Sequence, residues 1–256
     1  MYDLPAEIDV RAEGALRIIT LNRPDNLNAV NDALHTGLAK LWPQLSEDRE
    51  ARAAVLTGAG KAFSAGGDFT YLAELGRDTD LRSKTIAHGR EIVLGMTRCR
   101  VPVVTAVNGP AVGLGCSLVA LSDIVYIAPD AYLADPHVQV GLVAADGGPL
   151  TWPLQISLLL AKEYALTGAR IGAERARELG LVNHVADDPF AEALVCAKRI
   201  AEQPRQAVEA TKRLLNIHLE RAVLASLDYA TAAEYQSFET EDFQRTIAKL
   251  TAAKKN

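Results

Sequence analysis

The chain has 256 residues, of which 49% are hydrophobic, 23% charged and only 5% aromatic. This length predicts one large domain, alone or with an appendage, and the composition excludes disulfide scaffolds, collagen-like repeats and disordered chains. Its 27 basic and 32 acidic residues give a net charge of −5, and no basic run is interleaved with aromatic residues. We therefore expect no nucleic acid among its partners.

The cysteines and the apolar segments bear on the compartment. Cys99, Cys116 and Cys196 are widely spaced and show no CxxC or zinc-type spacing, which predicts reduced thiols in the cytosol. No pair of histidines has metal-ligand spacing, and His35 is expected at the surface or its boundary. Neither a membrane span of about 18 apolar residues nor a signal peptide is recognisable. We expect a cytoplasmic protein that binds no metal and no membrane.

The first half of the chain alternates between short apolar strands and amphipathic helices. Apolar and polar residues alternate over residues 7–22 around Gly14, which predicts a hairpin of two strands. The elements predicted after it are a helix over 31–48, a strand over 53–57, a strand over 101–107, a helix over 115–122 and a strand over 124–127. This order predicts an α/β layer architecture.

After about residue 150 the sequence predicts almost only helices. They are predicted over 154–160, 162–166, 173–179, 190–202, 205–219 and 222–237. Pro204 stands just before the fifth of these, where its missing N–H costs nothing. In that helix Val208, Thr211, Leu215 and Leu219 fall on one face, which we expect to be buried. We divide the chain into a core over residues 1–195 and a helical region over 196–256.

Two glycine-rich segments, GAGKAFSAGGD over 58–68 and NGPAVGLGC over 108–116, each follow a strand and precede a helix. Backbone N–H groups at such a place are free to bind a negatively charged group. Phe63 occupies the third glycine position of a dinucleotide fingerprint and Val55 the first of a P-loop, which argues against a nicotinamide dehydrogenase. Ser64 and Ser117 lack the flanking glycines of a nucleophile elbow. From these residues alone, the alternative to a binding site remains that both segments are tight turns that bind no ligand.

Several ordered segments resemble the crotonase (enoyl-CoA hydratase/isomerase) superfamily. They are LNRPDNLNA over 21–29, LTGAGKAFSAGGD over 56–68, PVVTAVNGPAVGLGC over 102–116, SDIV over 122–125, ALTGARIGAE over 165–174 and GLV over 180–182. The resemblance runs from about residue 8 to Glu241 and Asp242. It implies an α/β spiral of ββα units followed by C-terminal helices that build a homotrimer or a dimer of trimers.

The same resemblance implies an acyl-CoA thioester as the substrate. Coenzyme A is then part of the substrate, and no separate cofactor is expected. Family members hold the thioester carbonyl oxygen with two backbone N–H groups, which by position belong to Gly67 and Leu114. Such donors stabilise the negative charge of an enolate, and the dipole of a helix adds to their effect. Gly113 would let the backbone approach the ligand closely.

The resemblance also places the coenzyme A moiety. Ala65 and Asp68, beside Gly67, would lie against the adenine, and Asn26 and Leu27 along the pantetheine or phosphate end. A further pair of residues, Lys254 and Lys255, would either bind coenzyme A phosphates or form a solvated terminus.

The chain departs from the hydratases of this family at both of their catalytic glutamates. Ser117 and His137 stand at those two positions. A serine without a partner is no general base at neutral pH, whereas a histidine can titrate near 7. We interpret Ser117 as a small, neutral residue that lines the substrate pocket. His137 is either a structural partner of Asp135 or a catalytic group.

Asp146 is the remaining acid–base candidate. Related isomerases and dehalogenases of the superfamily place a catalytic aspartate on this loop, and a desolvated carboxyl group there could have a raised pKa and move a proton at the α or γ carbon. Alternatively, Asp146 caps the helix predicted to begin at Pro149. The sequence thus predicts an enoyl-CoA hydratase or isomerase, with a catalytically weak acyl-CoA-binding protein of the same fold as the alternative.

Overall fold

The β-strands form two sheets in a computed structural model that describes residues 2–253. They are β1 (Ile8–Glu13), β2 (Leu16–Leu21), β3 (Ala53–Gly58), β4 (Val103–Val107), β5 (Ala111–Val112), β6 (Ile124–Ile127), β7 (Tyr132–Ala134), β8 (Ile171–Gly172) and β9 (His184–Val185). The larger sheet has the order β1-β2-β3-β4-β6-β9, and the smaller has the order β5-β7-β8. Only β1 runs antiparallel to its neighbour in the larger sheet, which confirms the predicted hairpin.

The helices surround these sheets. They are α1 (Asp32–Glu47), α2 (Phe69–Leu75), α3 (Thr79–Arg98), α4 (Leu114–Ala120), α5 (His137–Val140), α6 (Gly148–Gln155), α7 (Leu158–Thr167), α8 (Ala173–Leu179), α9 (Pro189–Ala201), α10 (Arg205–Ser237) and α11 (Glu241–Ala253). The side chain of Asn31 accepts a hydrogen bond from the N–H of Leu34 and so caps α1, as the sequence predicted.

Both faces of the larger sheet are covered, as parallel strands require. Along β3, Ala54 and Leu56 pack into the main core with α1 and α3, whereas Ala53 and Val55 pack against α9 on the opposite face. All six residues of β3 are buried. The predicted α/β class is therefore confirmed, and the carboxyl ends of β3 and β4 lead directly into the two glycine-rich loops.

Two predicted helix boundaries were wrong. Residues 205–237 form the single helix α10, without the expected interruption near residue 220, because no glycine or proline breaks it and Val223 and Leu227 continue its buried side. The helix predicted over 154–160 is instead the end of α6 and the start of α7. Ser157 separates the two, since its side chain caps α7 at the N–H of Leu160.

Two predictions of burial also need correction. Leu215, placed on a buried stripe of α10, is 64% exposed in the single chain, and Thr211 on the same stripe is exposed. His35, expected at the surface, is buried between α1 and α3, where its ring stacks at 6.2 Å on His88.

Candidate active site

The two glycine-rich loops lie side by side and are joined backbone to backbone. The N–H of Ser64 donates to the carbonyl of Pro110 at 3.0 Å, and the N–H of Val112 donates to the carbonyl of Ser64 at 2.9 Å. Gly66 has a φ of +83°, and a Cβ atom there would lie 3.0 Å from the carbonyl oxygen of Val112. Only glycine allows this close approach without strain.

Gly67 and Leu114, the predicted oxyanion donors, line one common cavity. Backbone hydrogen bonds hold the residues on both sides of Gly67. The N–H of Val30 donates to the carbonyl of Gly66 at 2.7 Å, and the N–H of Asp68 donates to the carbonyl of Val30 at 2.9 Å. Leu114 is the first residue of α4. Within residues 2–253, neither the N–H of Gly67 nor that of Leu114 has a hydrogen-bond acceptor. Two free donors at one cavity suit an oxygen that carries negative charge.

The cavity has a volume of about 350 Å³ and is mostly apolar. Its apolar side chains come from several elements: Val30, Phe69, Leu72, Leu75, Val112, Val140, Leu142, Phe238 and Leu250. A few polar groups reach the same wall, among them His137, Asp146 and Glu234. An apolar cleft with few polar groups is the usual form of a small-molecule site.

His137 is held between two carboxylates. Its Nδ1 donates a short hydrogen bond to Oδ1 of Asp135, which is almost fully buried, and its Nε2 lies 4.0 Å from Oδ1 of Asp146. Burial alone would lower the pKa of His137, but the charges of Asp135 and Asp146 and the hydrogen bond raise it to about 10. His137 is therefore an imidazolium at neutral pH, a hydrogen-bond donor at both nitrogens. This pKa lies above the range near 7 in which a histidine can titrate.

Asp146 lies on the loop that precedes α6. Its Oδ1 accepts a hydrogen bond of 2.9 Å from Oγ of Ser117. Burial raises the pKa of Asp146 above its usual range, the positive charge of His137 opposes this rise, and the charge of Asp135 adds to it. The N-cap of α6 is Gly147, and this helix has no side-chain cap hydrogen bond within residues 2–253. The alternative interpretation of Asp146 as a helix cap is therefore wrong.

Ser117 lies behind Asp146, in contact with the backbone of the next residue. It is almost fully buried, and a Cβ atom on Gly147 would lie only 1.9 Å from Oγ of Ser117. The chain therefore needs both a small residue at position 117 and a glycine at position 147. Ser117 supports the carboxylate of Asp146 and is not among the residues that line the cavity.

The residues predicted along the coenzyme A moiety lie near the first loop. Ala65 lines the cavity, and its N–H donates to the carbonyl of Leu27 at 2.9 Å. Leu27 itself is 48% exposed and, like Asn26, lies outside the cavity wall. Asp68 caps α2 through the N–H of Thr70 and forms a 3.5 Å ion pair with Arg23. A further predicted pair, Lys254 and Lys255, lies outside the described residues.

Sequence reasoning missed two titratable groups of the cavity wall. Glu234 projects from α10, and burial together with the charge of Asp146 raises its pKa to about 8. His35 is neutral, because burial and the neighbouring His88 lower its pKa to about 4. No motif marks either residue. Glu234 looks like any other acidic residue of a long helix until the fold brings α10 to the cavity.

Residues 2–253 contain no group of three or more histidine, cysteine or acidic side chains that could hold a metal ion. In the same range, no helix has both the length and the apolar character of a membrane span. The three cysteines carry free thiols.

The two free N–H donors and the buried carboxyl group beside them form a candidate site that suits a ligand with a carbonyl oxygen. A family model described as enoyl-CoA hydratase/isomerase matches residues 11–255. The chain belongs to this family, whose members act on acyl-CoA thioesters, and the resemblance found in the sequence is confirmed.

Relatives and solved structures agree with this assignment. The mitochondrial enoyl-CoA hydratase of Pongo abelii is 33% identical over 227 residues, which cover 88% of this chain and 77% of the relative. Human mitochondrial Delta(3,5)-Delta(2,4)-dienoyl-CoA isomerase is 31% identical over 249 residues, which cover 92% of this chain and 76% of the relative. A crystal structure of an enoyl-CoA hydratase/isomerase from Mycobacterium paratuberculosis is 79% identical and superposes with a TM-score of 0.96, covering 97% of this chain and 100% of that one.

Proposed function

We propose that this enzyme is an acyl-CoA isomerase that shifts a carbon–carbon double bond through an enolate, with Asp146 as its acid–base group. The observation that carries the proposal is the position of Asp146, which lines the same cavity as Gly67 and Leu114. Both residues that replace the hydratase glutamates, Ser117 and His137, contact or flank this carboxylate. A dienoyl-CoA isomerase among the relatives supports the same reaction class.

The two backbone donors supply the electrophilic half of the reaction. When a base removes a proton from the α carbon of an acyl-CoA, the electron pair delocalises onto the thioester oxygen. The N–H groups of Gly67 and Leu114 would bind that oxygen most strongly when it is negative. One such donor contributes about 3–4 kcal/mol to a transition state of this kind.

Asp146 supplies the base. Its raised pKa makes it a better proton acceptor than an exposed aspartate. The cation of His137, 4.0 Å away, favours the ionised carboxylate and adds positive charge near the enolate. The hydroxyl of Ser117 fixes Oδ1, so that the carboxylate does not need to reorganise during proton transfer.

Hydration of a simple 2-enoyl-CoA is poorly supported by this site. That reaction needs a group that deprotonates a water molecule beside the β carbon. Ser117 is buried behind Asp146, and His137 already carries its second proton at neutral pH. Neither replaces a glutamate as a base. We therefore expect weak hydration of crotonyl-CoA.

The coenzyme A moiety is proposed to leave the cavity past Ala65, with Asp68 beside the adenine and Asn26 and Leu27 along the pantetheine or phosphate end. The hydrogen bond between Ala65 and Leu27 supports this path, because it joins the cavity wall to the surface segment. The apolar wall would hold the acyl chain, and no separate cofactor takes part.

We also propose a cytoplasmic homotrimer or dimer of trimers, built by the region from residue 196. Three large side chains of this region are prominent on the surface of the single chain: Tyr229 is 79% exposed, and Leu214 and Leu215 are each 64% exposed. Apolar side chains of this size support an interface between subunits. Sedimentation of the protein as a monomer would contradict this part of the proposal.

The reaction is tested by giving the purified enzyme 3-hexenoyl-CoA and crotonyl-CoA separately. We expect isomerisation of 3-hexenoyl-CoA and much slower hydration of crotonyl-CoA, and the Asp146→Asn variant should lose the isomerisation. Calorimetric binding of both thioesters without turnover of either would instead support an acyl-CoA-binding protein. Isomerisation of 3-hexenoyl-CoA that is unchanged in Asp146→Asn would exclude Asp146 from the mechanism.

A further inference from the structure

Glu234 differs from the other acidic residues of its helix. On α10 the carboxylates of Glu209, Glu220 and Asp228 each form an ion pair with an arginine. Glu234 forms no hydrogen bond and no ion pair with any residue in the range 2–253, and it lies in the wall of the cavity. A carboxyl group kept at an apolar wall without a protein partner costs stability, which a ligand-directed role would explain.

The position of Glu234 relative to Asp146 is fixed by the fold. One turn after Glu234, the hydroxyl of Ser237 accepts a hydrogen bond of 3.2 Å from the N–H of Val143, on the loop that carries Asp146. Phe238, at the end of α10, also lines the cavity. The helix and the loop are thus joined, and two carboxyl groups reach one cavity from two different elements.

The carboxyl groups of Glu234 and Asp146 differ in the charges and hydrogen bonds around them. Burial and the negative charges of Asp146 and Asp135 raise the pKa of Glu234 to about 8, and the cation of His137 opposes this. Glu234 therefore carries a proton at pH 7. Burial also raises the pKa of Asp146, but the charge of His137 and the hydroxyl of Ser117 oppose that rise. The contacts with Ser117 and His137 suit Asp146 to accept a proton, whereas Glu234, which lacks such contacts within residues 2–253, is suited to donate one, the arrangement expected of an acid–base pair.

We infer that Glu234 is a second catalytic residue, which donates the proton to the γ carbon of a 3-enoyl-CoA after Asp146 has removed the proton from the α carbon. This inference rests on the isomerase function proposed above. In the first step the C2–H bond breaks, Asp146 takes the proton, and the electron pair forms the dienolate. In the second step the dienolate electrons form the C4–H bond with the proton of Glu234, leaving the double bond between C2 and C3.

The proton balance closes within one turnover. Asp146 ends the reaction protonated and Glu234 ends it ionised, so the net charge of the pair is unchanged. Exchange with solvent, or transfer through water in the emptied cavity, then moves the proton from Asp146 back to Glu234. No oxidant, metal or further reactant is needed.

The two steps can be measured separately with 3-hexenoyl-CoA in D₂O. Deuterium that enters C2 of unreacted substrate reports the first step, and formation of 2-hexenoyl-CoA reports both. For Glu234→Gln we expect exchange at C2 within about twofold of the wild type, whereas isomerisation falls by about 10²–10⁴-fold. Asp146→Asn should lose both. Asp228→Asn, which removes a carboxylate of the same helix outside the cavity, should lose neither.

Three other results of this experiment would overturn the role of Glu234 or the isomerase function. Wild-type isomerisation by Glu234→Gln would overturn the role of Glu234 and leave the isomerase function standing. Loss of both exchange and isomerisation in a Glu234→Gln protein with wild-type circular dichroism would also overturn the assignment of Glu234 to the γ carbon. Absence of both in the wild type would overturn the isomerase function itself, and the inference with it.

Discussion

The hydroxyl of Ser117 lies 2.9 Å from Oδ1 of Asp146 and joins α4 to the loop before α6. Leu114 begins α4, so the first turn of this helix holds both the proposed oxyanion donor and the residue that orients the proposed base. A change in the position of α4 would therefore affect both halves of the proposed chemistry. The residue type at position 117 is explained by this contact.

Removal of the Ser117 hydroxyl should weaken catalysis without unfolding the protein. In Ser117→Ala the carboxylate of Asp146 loses a hydrogen bond, and a bond to a charged group contributes about 1.5–3 kcal/mol. We expect kcat for 3-hexenoyl-CoA to fall by about tenfold or more, with KM little changed, because substrate binding does not use this bond. Ser122→Ala removes a hydroxyl near the far end of α4 and is the matched control. A fall in both variants alike would point to a general effect on the helix.

Substitution of Leu114 by proline should remove one oxyanion donor selectively. Leu114 is the first residue of α4, a position where proline is tolerated because its N–H is not needed by the helix. We expect Leu114→Pro to lower kcat by about 10²–10³-fold. The control is Leu114→Ala, which loses the same side chain but keeps the N–H. Equal kcat values for the two variants would show that this N–H does not bind the thioester oxygen.

A methyl group at Gly147 should destabilise the fold at the site. Its Cβ would lie 1.9 Å from Oγ of Ser117, so the loop would have to move, and overpacking of this kind costs about 1–3 kcal/mol. The free energy of unfolding in urea should fall in Gly147→Ala. In Gly172→Ala it should not, since no atom lies within 4 Å of the Cβ position there. A Gly147→Ala protein of wild-type stability would contradict the packing described for Ser117.

The pKa of Glu234 predicts how stability depends on pH. In the unfolded chain a glutamate loses its proton near pH 4.5, but in the folded enzyme it keeps it to about pH 8. Between these values the folded state binds more protons, so this group's contribution to stability falls as pH rises. Between pH 4.5 and 8 we expect the free energy of unfolding to fall less in Glu234→Gln than in the wild type. At pH 8 the variant should be the more stable of the two proteins. Parallel pH profiles for the two proteins would contradict the raised pKa.

Much of the fold could be predicted because it depends on local patterns. The hairpin around Gly14 follows from alternation, the start of α1 from the cap at Asn31, and the two glycine-rich loops from their place between strand and helix. The length of α10 was missed because Glu220 and Arg221, two charged residues in a row, look like a boundary. In the structure the helix continues through both: Glu220 is mostly covered and pairs with Arg98 of α3, and Arg221 is exposed.

The acid–base groups could be predicted only in part, because a pKa depends on contacts that are distant in sequence. Asp146 was predicted from the resemblance, and its alternative role as a helix cap was excluded only by the structure, in which Gly147 is the N-cap of α6. Its catalytic role stays a prediction. A histidine can titrate near 7, but two carboxylates that face the ring of His137 in the fold raise its pKa. Glu234 needs the whole course of α10 before it reaches the cavity.

The most direct test of the central claim is the rate at which the enzyme exchanges the C2 hydrogen of 3-hexenoyl-CoA in D₂O, compared between the wild type, Asp146→Asn and Asp130→Asn. Asp130 is an exposed aspartate outside the cavity wall and serves as the control. We predict equal rates for the wild type and Asp130→Asn, and a rate about 10²–10⁴-fold lower for Asp146→Asn. Exchange by Asp146→Asn at the wild-type rate would contradict the assignment of Asp146 as the base that forms the enolate.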